Sequence, residues 1–450
     1  MRDDGSEPTR VTACAGLLDR PEPEVGNYFV STYPPFSCWT EGAVDAYRRR
    51  LAQPPASGDV PLGLYVHVPF CVERCQYCYY LSHDDKSGEI DGYLEVLADE
   101  WARYASAPAV VDRPLGFVYF GGGTPSILSV ARLRSLARAL QRSGSWADAQ
   151  EITFECAPKS VTADKARALR DLGVTRLSLG VQQLDDAVLA ANGRVHLTAD
   201  VERAYECIRL GGFDIVNLDL MVGLVGETDE SFFASLERVI VLRPESVTIY
   251  QLEIPLNTPL YRLLRAAALA QPPASWDVKH ARLAAAMARL EAAGYTIRSA
   301  YSAVLDPSRH PFVYQDAQYR GADLVGIGAS AFSHLGGVNQ QNLASLAAYL
   351  DAGARDAPPF WRAYALSARE RLVREFILQL KLGGVERRYF REKFKADVLE
   401  SFAEPLDEAR RRGWLTIGDE AVTLTREGLV RVDRWLPAFY LPEHQNVRYS

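Results

Sequence analysis

Residues 71–78 read CVERCQYC and are followed by YY. Cys71, Cys75 and Cys78 are separated by three residues and then by two, whereas Cys14, Cys38, Cys156 and Cys207 are scattered. A structural zinc site takes four protein ligands, and no second Cys or His pair stands at finger spacing. Seven cysteines in a chain of 450 residues is an odd number that fits reduced thiols better than a disulfide framework. Thiolates also hold iron–sulfur clusters, and a four-iron cube held by three protein thiolates keeps one iron open. A small molecule with paired amine and carboxylate could chelate that iron, which would make the cluster a reagent. Three buried cysteines that merely fall close together, a zinc site and a disulfide pair are the alternatives at this point.

Other residues could serve a ligand near that loop. In GGGTP, 121–125, Gly122 and Gly123 lack Cβ atoms and would let the backbone approach a ligand's polar end, with the Thr124 hydroxyl beside them. A tight strand-to-helix turn would have the same composition. Glu155 closes an apolar run, where a carboxylate is costly unless a cation or donor meets it; an internal salt bridge would do so. His67, a lone histidine, reads as a satisfied core side chain. The four scattered cysteines read as core or cap residues, with Cys156 beside Glu155.

These residues sit at the ends of a regular rhythm. The apolar runs LGLYVHVPF (62–70), GFVYFGGG (116–123), EITFEC (151–156), RLSLGV (176–181), DIVNLDLMV (214–222) and SVTIYQLEI (246–254) alternate with amphipathic helical stretches such as SVARLRSLARALQR and DESFFASLERVIVL. Strands separated by helix-length crossovers form a mostly parallel sheet, either a barrel or a doubly wound sheet, with chemistry in loops at the carboxyl ends of the strands. The first sixty residues are Pro-rich, with one aromatic island, NYFVSTYPPFSCW (27–39), which must pack over something. After the linker-like DAGARDAPPF (351–360) come LSARERLVREFILQLKL and VERRYFREKF, then short strands around GD, a pattern that suggests a small winged-helix-like module. The boundaries read as a cap segment over 1–60, a barrel with an extension over 61–345 and a carboxy-terminal unit over 346–450.

A hydrophobic fraction of 48% allows a large core, and a net charge of -7 disfavours binding along a nucleic-acid backbone. Arg410, Arg411 and Arg412 read as a solvated helix face. The amino terminus has acids where a signal peptide has bases, and no apolar stretch reaches membrane-spanning length, so the expectation is a cytoplasmic protein without membrane or nucleic-acid partners.

YVHVPFCVERCQYC resembles the cluster loop of the radical S-adenosylmethionine (SAM) superfamily, and within it the group related to oxygen-independent coproporphyrinogen III oxidase. VYFGGGTPS, ITFECAP, LSLGVQQLDD, NLDLMVGLVGET and YRGADLVGIGASAFSHLGG resemble successive signature segments of that group, in order, from about residue 62 to 345. The resemblance implies a three-quarter (β/α)6 barrel, a [4Fe–4S] cluster on Cys71, Cys75 and Cys78, an external one-electron donor of flavodoxin or ferredoxin type, and cleavage of SAM to a 5′-deoxyadenosyl radical. It implies that Tyr65, Gly122, Gly123, Thr124 and Glu155 contact the SAM on the cluster, Glu155 taking its ammonium. Gln182, Arg194 and Asp219 match positions that contact a second SAM. Glu253 and Phe332 also fall at matching positions, but the family's residues there are of other types.

Three activities compete under this resemblance. Coproporphyrinogen oxidative decarboxylation is one, but Tyr80 stands where those enzymes have a fourth cysteine and Phe29 where they have an arginine. A haem chaperone is another, but YQDAQY (314–319) replaces the HNxxYW signature that carries the proposed axial histidine. The expectation placed first is carbon transfer, in which the second SAM gives a methyl or methylene group to an sp² carbon of a small-molecule substrate, as in C-methylation or cyclopropanation for natural-product biosynthesis, with a partner methyltransferase as a further expectation. The CxxxCxxCYY loop, the aromatic cap and the closing LPAFYLPEHQNVRYS are its motive.

Overall fold

The computed structural model describes residues 25–26, 29–55, 60–83, 87–445, 447 and 449. Cys14, Asn27, Tyr28 and the first part of the expected cap lie outside the described residues. Six parallel strands appear where the rhythm places them: β1 (Leu62–Val68), β2 (Leu115–Gly122), β3 (Glu151–Cys156), β4 (Arg176–Gln182), β5 (Ile215–Val222) and β6 (Ser246–Gln251), paired in that order. Each crossover carries a helix, among them Ile90–Ala105, Val130–Ser143, Ala163–Asp171, Thr198–Gly211 and Asp229–Leu242. Ser129, Thr162 and Thr228 cap three of these by accepting the amide of Arg132, Lys165 or Ser231, which satisfies one of the donors a helix start leaves open.

Alternation along the strands divides two environments. Leu64, Val66 and Val68 of β1, and Ile152, Phe154 and Cys156 of β3, join the buried apolar cluster beneath the helices. Tyr65, Tyr119, Glu155, Ser178, Asp219 and Tyr250 fall on the opposite, inward face, following the period of two. The six-stranded arc is thus a three-quarter (β/α)6 barrel, as the resemblance implies.

The sheet does not stop there. A short hairpin, β7 (Thr296–Ile297) and β8 (Ser302–Val304), pairs antiparallel onto β6. At the other edge β9 (Asp323–Ile327) pairs parallel with β1, and β10 (Phe332–Leu335), β11 (Val338–Asn342) and β12 (Phe360–Ala365) follow antiparallel. β12 lies beyond residue 345, so the barrel sheet takes in part of the segment read as the carboxy-terminal unit. That unit continues with a long helix, Ala368–Leu380, and a small sheet of β13 (Gly384–Glu386), β14 (Leu415–Ile417) and β15 (Ala421–Leu424) in the order β13-β15-β14. Arg410, Arg411 and Arg412 pair with Asp407 and Glu408 along their own helix, as a solvated face does.

The open side of the barrel is closed by three pieces. A plug helix, Val313–Tyr319, starts on Glu151, whose carboxylate accepts the amides of Val313 at 3.3 Å and Tyr314 at 3.2 Å and the Arg176 guanidinium at 2.9 Å. The aromatic island packs on the rim, with Phe36 4.6 Å from Phe332 and 5.0 Å from Trp39, and Phe29 5.1 Å from Tyr301. Tyr449 ties the tail to this cap by accepting the Ser31 amide at 2.7 Å. Among the described residues no helix is long and apolar enough to cross a membrane.

Candidate active site

The cysteine loop leaves β1 at its carboxyl end and is pinned at both ends and in the middle. Cys71 N donates to His83 O at 3.0 Å and His83 N to Pro69 O at 2.7 Å, while Gln76 N donates to Asn192 O at 3.2 Å and Gln76 O accepts Leu260 N at 2.8 Å. Cys71, Cys75 and Cys78 are free and half-buried. Burial, with the neighbouring Cys75, raises Cys78 to about 11, and burial also raises Cys71; the positive charge of a bound metal would offset that cost and favour their thiolates. Among the described residues no three potential ligands are placed to hold one metal ion; a cube takes each thiolate on a different iron, which suits three spread sulfurs. Two donors already point at them: Thr124 Oγ1 to Cys71 Sγ at 3.5 Å, and Arg194 Nη1 to Cys75 Sγ at 3.2 Å. Free thiols with donors aimed at the sulfur fit the [4Fe–4S] group.

The glycine run after β2 serves this packing. A Cβ on Gly123 would lie 2.8 Å from Phe70 O and 3.1 Å from Cys71 Sγ, and Gly122 has φ of 116° with its missing Cβ against the His67 ring. Close approach to the cysteine loop therefore demands both glycines, whatever ligand they also face. His67 is held well below its ordinary value, to about 4, by burial, and is neutral.

Glu155 faces the lumen with Tyr119 Oη donating to Oε1 at 2.7 Å and the Gly122 amide to Oε2 at 3.3 Å. Burial pushes its carboxyl up to about 7, and it has no ion-pair partner among the described residues, so the internal salt bridge is not what meets it. Tyr65 stacks on Tyr119 at 5.7 Å. On β5, Asp219 accepts Ser178 Oγ at 2.9 Å and Asn217 Nδ2 at 2.8 Å, and Thr248 Oγ1 donates onward to Asn217 Oδ1 at 2.9 Å. Burial lifts Asp219 to about 6 against these hydrogen bonds.

The remaining expected residues divide. Gln182 ends β4 in a left-handed conformation, φ 67°, and Arg194 reaches back to Gly180 O at 2.8 Å with its Nε buried and unbonded. Arg194 thus lies against the cysteine loop and within electrostatic reach of Asp219, and Gln182 pairs with Leu220, next to Asp219 on β5. Glu253 instead accepts the Phe29 amide and so holds the cap. Phe332 is packed among Phe36 and Trp39, apart from the carboxylate cluster.

Beyond Tyr80, which the sequence marks only as a replaced cysteine, the wall includes Tyr79, Tyr119, Tyr250 and Tyr314, which the sequence does not single out. Tyr80 and Tyr250 are 51% and 41% exposed, yet each lies within electrostatic reach of Glu155, so the surface they expose faces the lumen. Tyr79 stacks on Tyr80 at 4.6 Å, and Tyr314 of the plug helix meets Tyr119 at 4.6 Å. Strand alternation carried the signal for Tyr119 and Tyr250; nothing local marks Tyr314, which a distant loop delivers.

A three-quarter barrel whose first strand opens into a loop of three free thiols, with buried carboxylates in its lumen, defines a radical SAM protein. The Radical SAM superfamily profile matches residues 65–239, and the HemN C-terminal domain profile matches residues 366–431. The chain belongs to the radical SAM superfamily, in its HemN-like group. It is 30% identical over 369 residues to the heme chaperone HemW of Bacillus subtilis, covering 81% of this chain and 95% of that one. It is 29% identical over 465 residues to coproporphyrinogen III oxidase, anaerobic 1, of Cereibacter sphaeroides, covering 97% of each. The structure of coproporphyrinogen III oxidase (HemN) from Escherichia coli superposes with a TM-score of 0.79 at 25% identity, covering 91% of this chain and 96% of that one. A [4Fe–4S] cluster and SAM are the cofactors of this family and of this chain. The expectation of methyl or methylene transfer is corrected by these relatives, which are coproporphyrinogen oxidases and haem chaperones over nearly their whole length; the partner methyltransferase goes with it.

Proposed function

We propose that this protein is a SAM-cleaving radical enzyme that carries out an oxidative decarboxylation of the coproporphyrinogen III type. The observation that carries the reading is the alignment with the Cereibacter coproporphyrinogen III oxidase over 97% of both chains, cap and carboxy-terminal unit included. When bound, the reduced cluster and SAM supply a 5′-deoxyadenosyl radical that removes a substrate hydrogen atom. Cys71, Cys75 and Cys78 hold the cluster in the proposed scheme. Glu155, oriented by Tyr119 and the Gly122 amide, takes the ammonium of SAM, with Tyr65 and Thr124 beside it. Gln182, Arg194 and Asp219 face a second SAM. The plug helix, Tyr314 and the cap exclude water from a lumen in which a carbon radical must be protected. An external one-electron donor and a small-molecule substrate complete the system.

Tyr80 and Phe29 depart from the oxidase pattern, so the substrate test is decisive. Anaerobically reconstituted protein with SAM, reductant and coproporphyrinogen III is expected to release carbon dioxide and form a decarboxylated porphyrinogen, read by chromatography after oxidation. Absence of both, with SAM cleaved, would remove this substrate. Equilibrium dialysis with labelled SAM is expected to saturate above one equivalent per cluster; saturation at one would remove the second molecule.

The relationship to HemW supports haem carriage as a second reading. The plug helix VYQDAQY offers no histidine, which weighs against it, and a haem titration without a Soret shift would retire it.

A further inference from the structure

Arg374 lies in the helix Ala368–Leu380, which is buried all round from Leu372 onward, and is only 4% exposed. Buried arginines are ordinarily paired, because an unpaired buried charge is strongly destabilising. Among the described residues this guanidinium makes one hydrogen bond, from Nη1 to Gln318 O at 3.3 Å, and its Nε is buried with no partner. The adjacent Glu375 offsets part of its charge through space but does not bond it: the Glu375 oxygens accept from Lys393 Nζ at 2.8 and 2.9 Å and from the Tyr389 hydroxyl. Gln318, on the plug helix beside Arg374, also has a buried amide donor, Nε2, without an acceptor. Two buried donors on neighbouring helices, Arg374 Nε and Gln318 Nε2, are thus left without acceptors among the described residues.

It also adjoins the lumen. Tyr314 sits one turn before Gln318 on the plug helix, feels the Arg374 charge, and packs 4.6 Å from Tyr119, whose hydroxyl holds Glu155. A path of aromatic surface thus leads from the reacting end of the site to two unsatisfied donors. We propose that Arg374 and Gln318 form an anion subsite that anchors a carboxylate of a ring-bearing substrate against the plug helix. A guanidinium edge and an amide can hold both oxygens of one carboxylate, fixing orientation as well as supplying charge. The inference deepens the decarboxylase reading and rests on it for the substrate, but its chemistry needs only a carboxylate beside an aromatic body.

The test therefore uses two probes that are not substrates, pyrenebutyrate and its methyl ester, titrated by fluorescence into the reconstituted holoprotein. Wild type is expected to bind the acid about tenfold more tightly than the ester, the size of one hydrogen bond to a charged group. In Arg374→Met the preference is expected to vanish while SAM binding and unproductive 5′-deoxyadenosine formation stay at wild-type levels. Equal binding of acid and ester by wild type, which requires no variant to fold, overturns the proposal, as does a preference that survives in R374M. Loss of SAM from R374M would assign the subsite to the carboxylate of SAM and overturn the substrate role. Inactivity on coproporphyrinogen III with an Arg374-dependent acid preference would remove the decarboxylase reading and leave the anion subsite standing.

Discussion

Glu155 is a buried carboxylate with no cationic partner among the described residues. Burial raises it to about 7, and Tyr119 and the Gly122 amide orient it without neutralising it. In its proposed role it must be ionised to hold an ammonium, so SAM affinity is expected to fall as pH drops through about 7. Dialysis at about pH 6 and about pH 8 measures this; Glu155→Gln should flatten the profile and weaken binding about tenfold. Equal affinity of wild type at both pH values would remove the contact. The sign reverses for stability. Folded values of about 7 for Glu155 and about 6 for Asp219 lie above the ordinary 4.5 and 3.8, so over that window the folded state binds more protons than the unfolded one. Apoprotein stability is therefore expected to fall as pH rises from about 4 to about 7, read by urea melts, and a rise attributable to these two groups in Gln and Asn variants would contradict it. The thiols make a third case: Cys71→Ala, Cys75→Ala and Cys78→Ala should each abolish the visible absorption of the reconstituted cluster, while Cys207→Ala should leave it intact.

At the scale of elements, the plug helix depends on one buried ion pair. Glu151 and Arg176 are each 3% exposed, and Glu151 also receives the first two amides of that helix. Removing one partner leaves the other charged and buried, so Arg176→Met is expected to cost about 3–5 kcal/mol in a denaturant melt, with much of the loss recovered in the double variant with Glu151→Gln. A loss below about 1 kcal/mol would mean the pair is not what seats the helix. Legibility differs sharply between these elements. β1 to β6 were readable because each is an apolar run of strand length between helix-length crossovers. Cys71, Cys75, Cys78 and Glu155 are readable because they sit at or near strand ends, whereas Asp219, in the middle of β5, enters through the resemblance alone. The partners of Glu155 and Asp219 are not readable, since Tyr119, Ser178 and Asn217 are ordinary strand residues whose meaning comes from register between strands. β9 to β12 were hidden as strands because their short segments lack the βα rhythm. Arg374 lies in an amphipathic helix and looks like any surface arginine until the plug helix is placed beside it.

At the scale of the whole molecule, cap, barrel and carboxy-terminal unit meet at a second buried charge pair. Lys381 Nζ, fully buried, lies 2.9 Å from Asp433 Oδ1 and 3.7 Å from the centre of the Phe29 ring, and Asp433 also accepts the Val30 amide at 2.8 Å and the Tyr301 hydroxyl. One carboxylate therefore fastens the cap to the unit that follows the barrel, next to the mouth of the lumen. Asp433→Ala should release the cap, seen as faster amide exchange over residues 29–33, and should raise 5′-deoxyadenosine formation without substrate turnover because water reaches the site. Unchanged exchange there would show that the aromatic packing of Phe29 and Phe36 suffices. The fold and cofactors of this molecule are those of the HemN-like group.

Coproporphyrinogen III deuterated on its propionate side chains, incubated without oxygen with the reconstituted protein, SAM and reductant, tests the proposed reaction most directly. Mass spectrometry of the 5′-deoxyadenosine is expected to show one deuterium gained from the substrate. Nucleoside formed without label would contradict abstraction from that substrate, and no nucleoside at all would contradict the radical site itself.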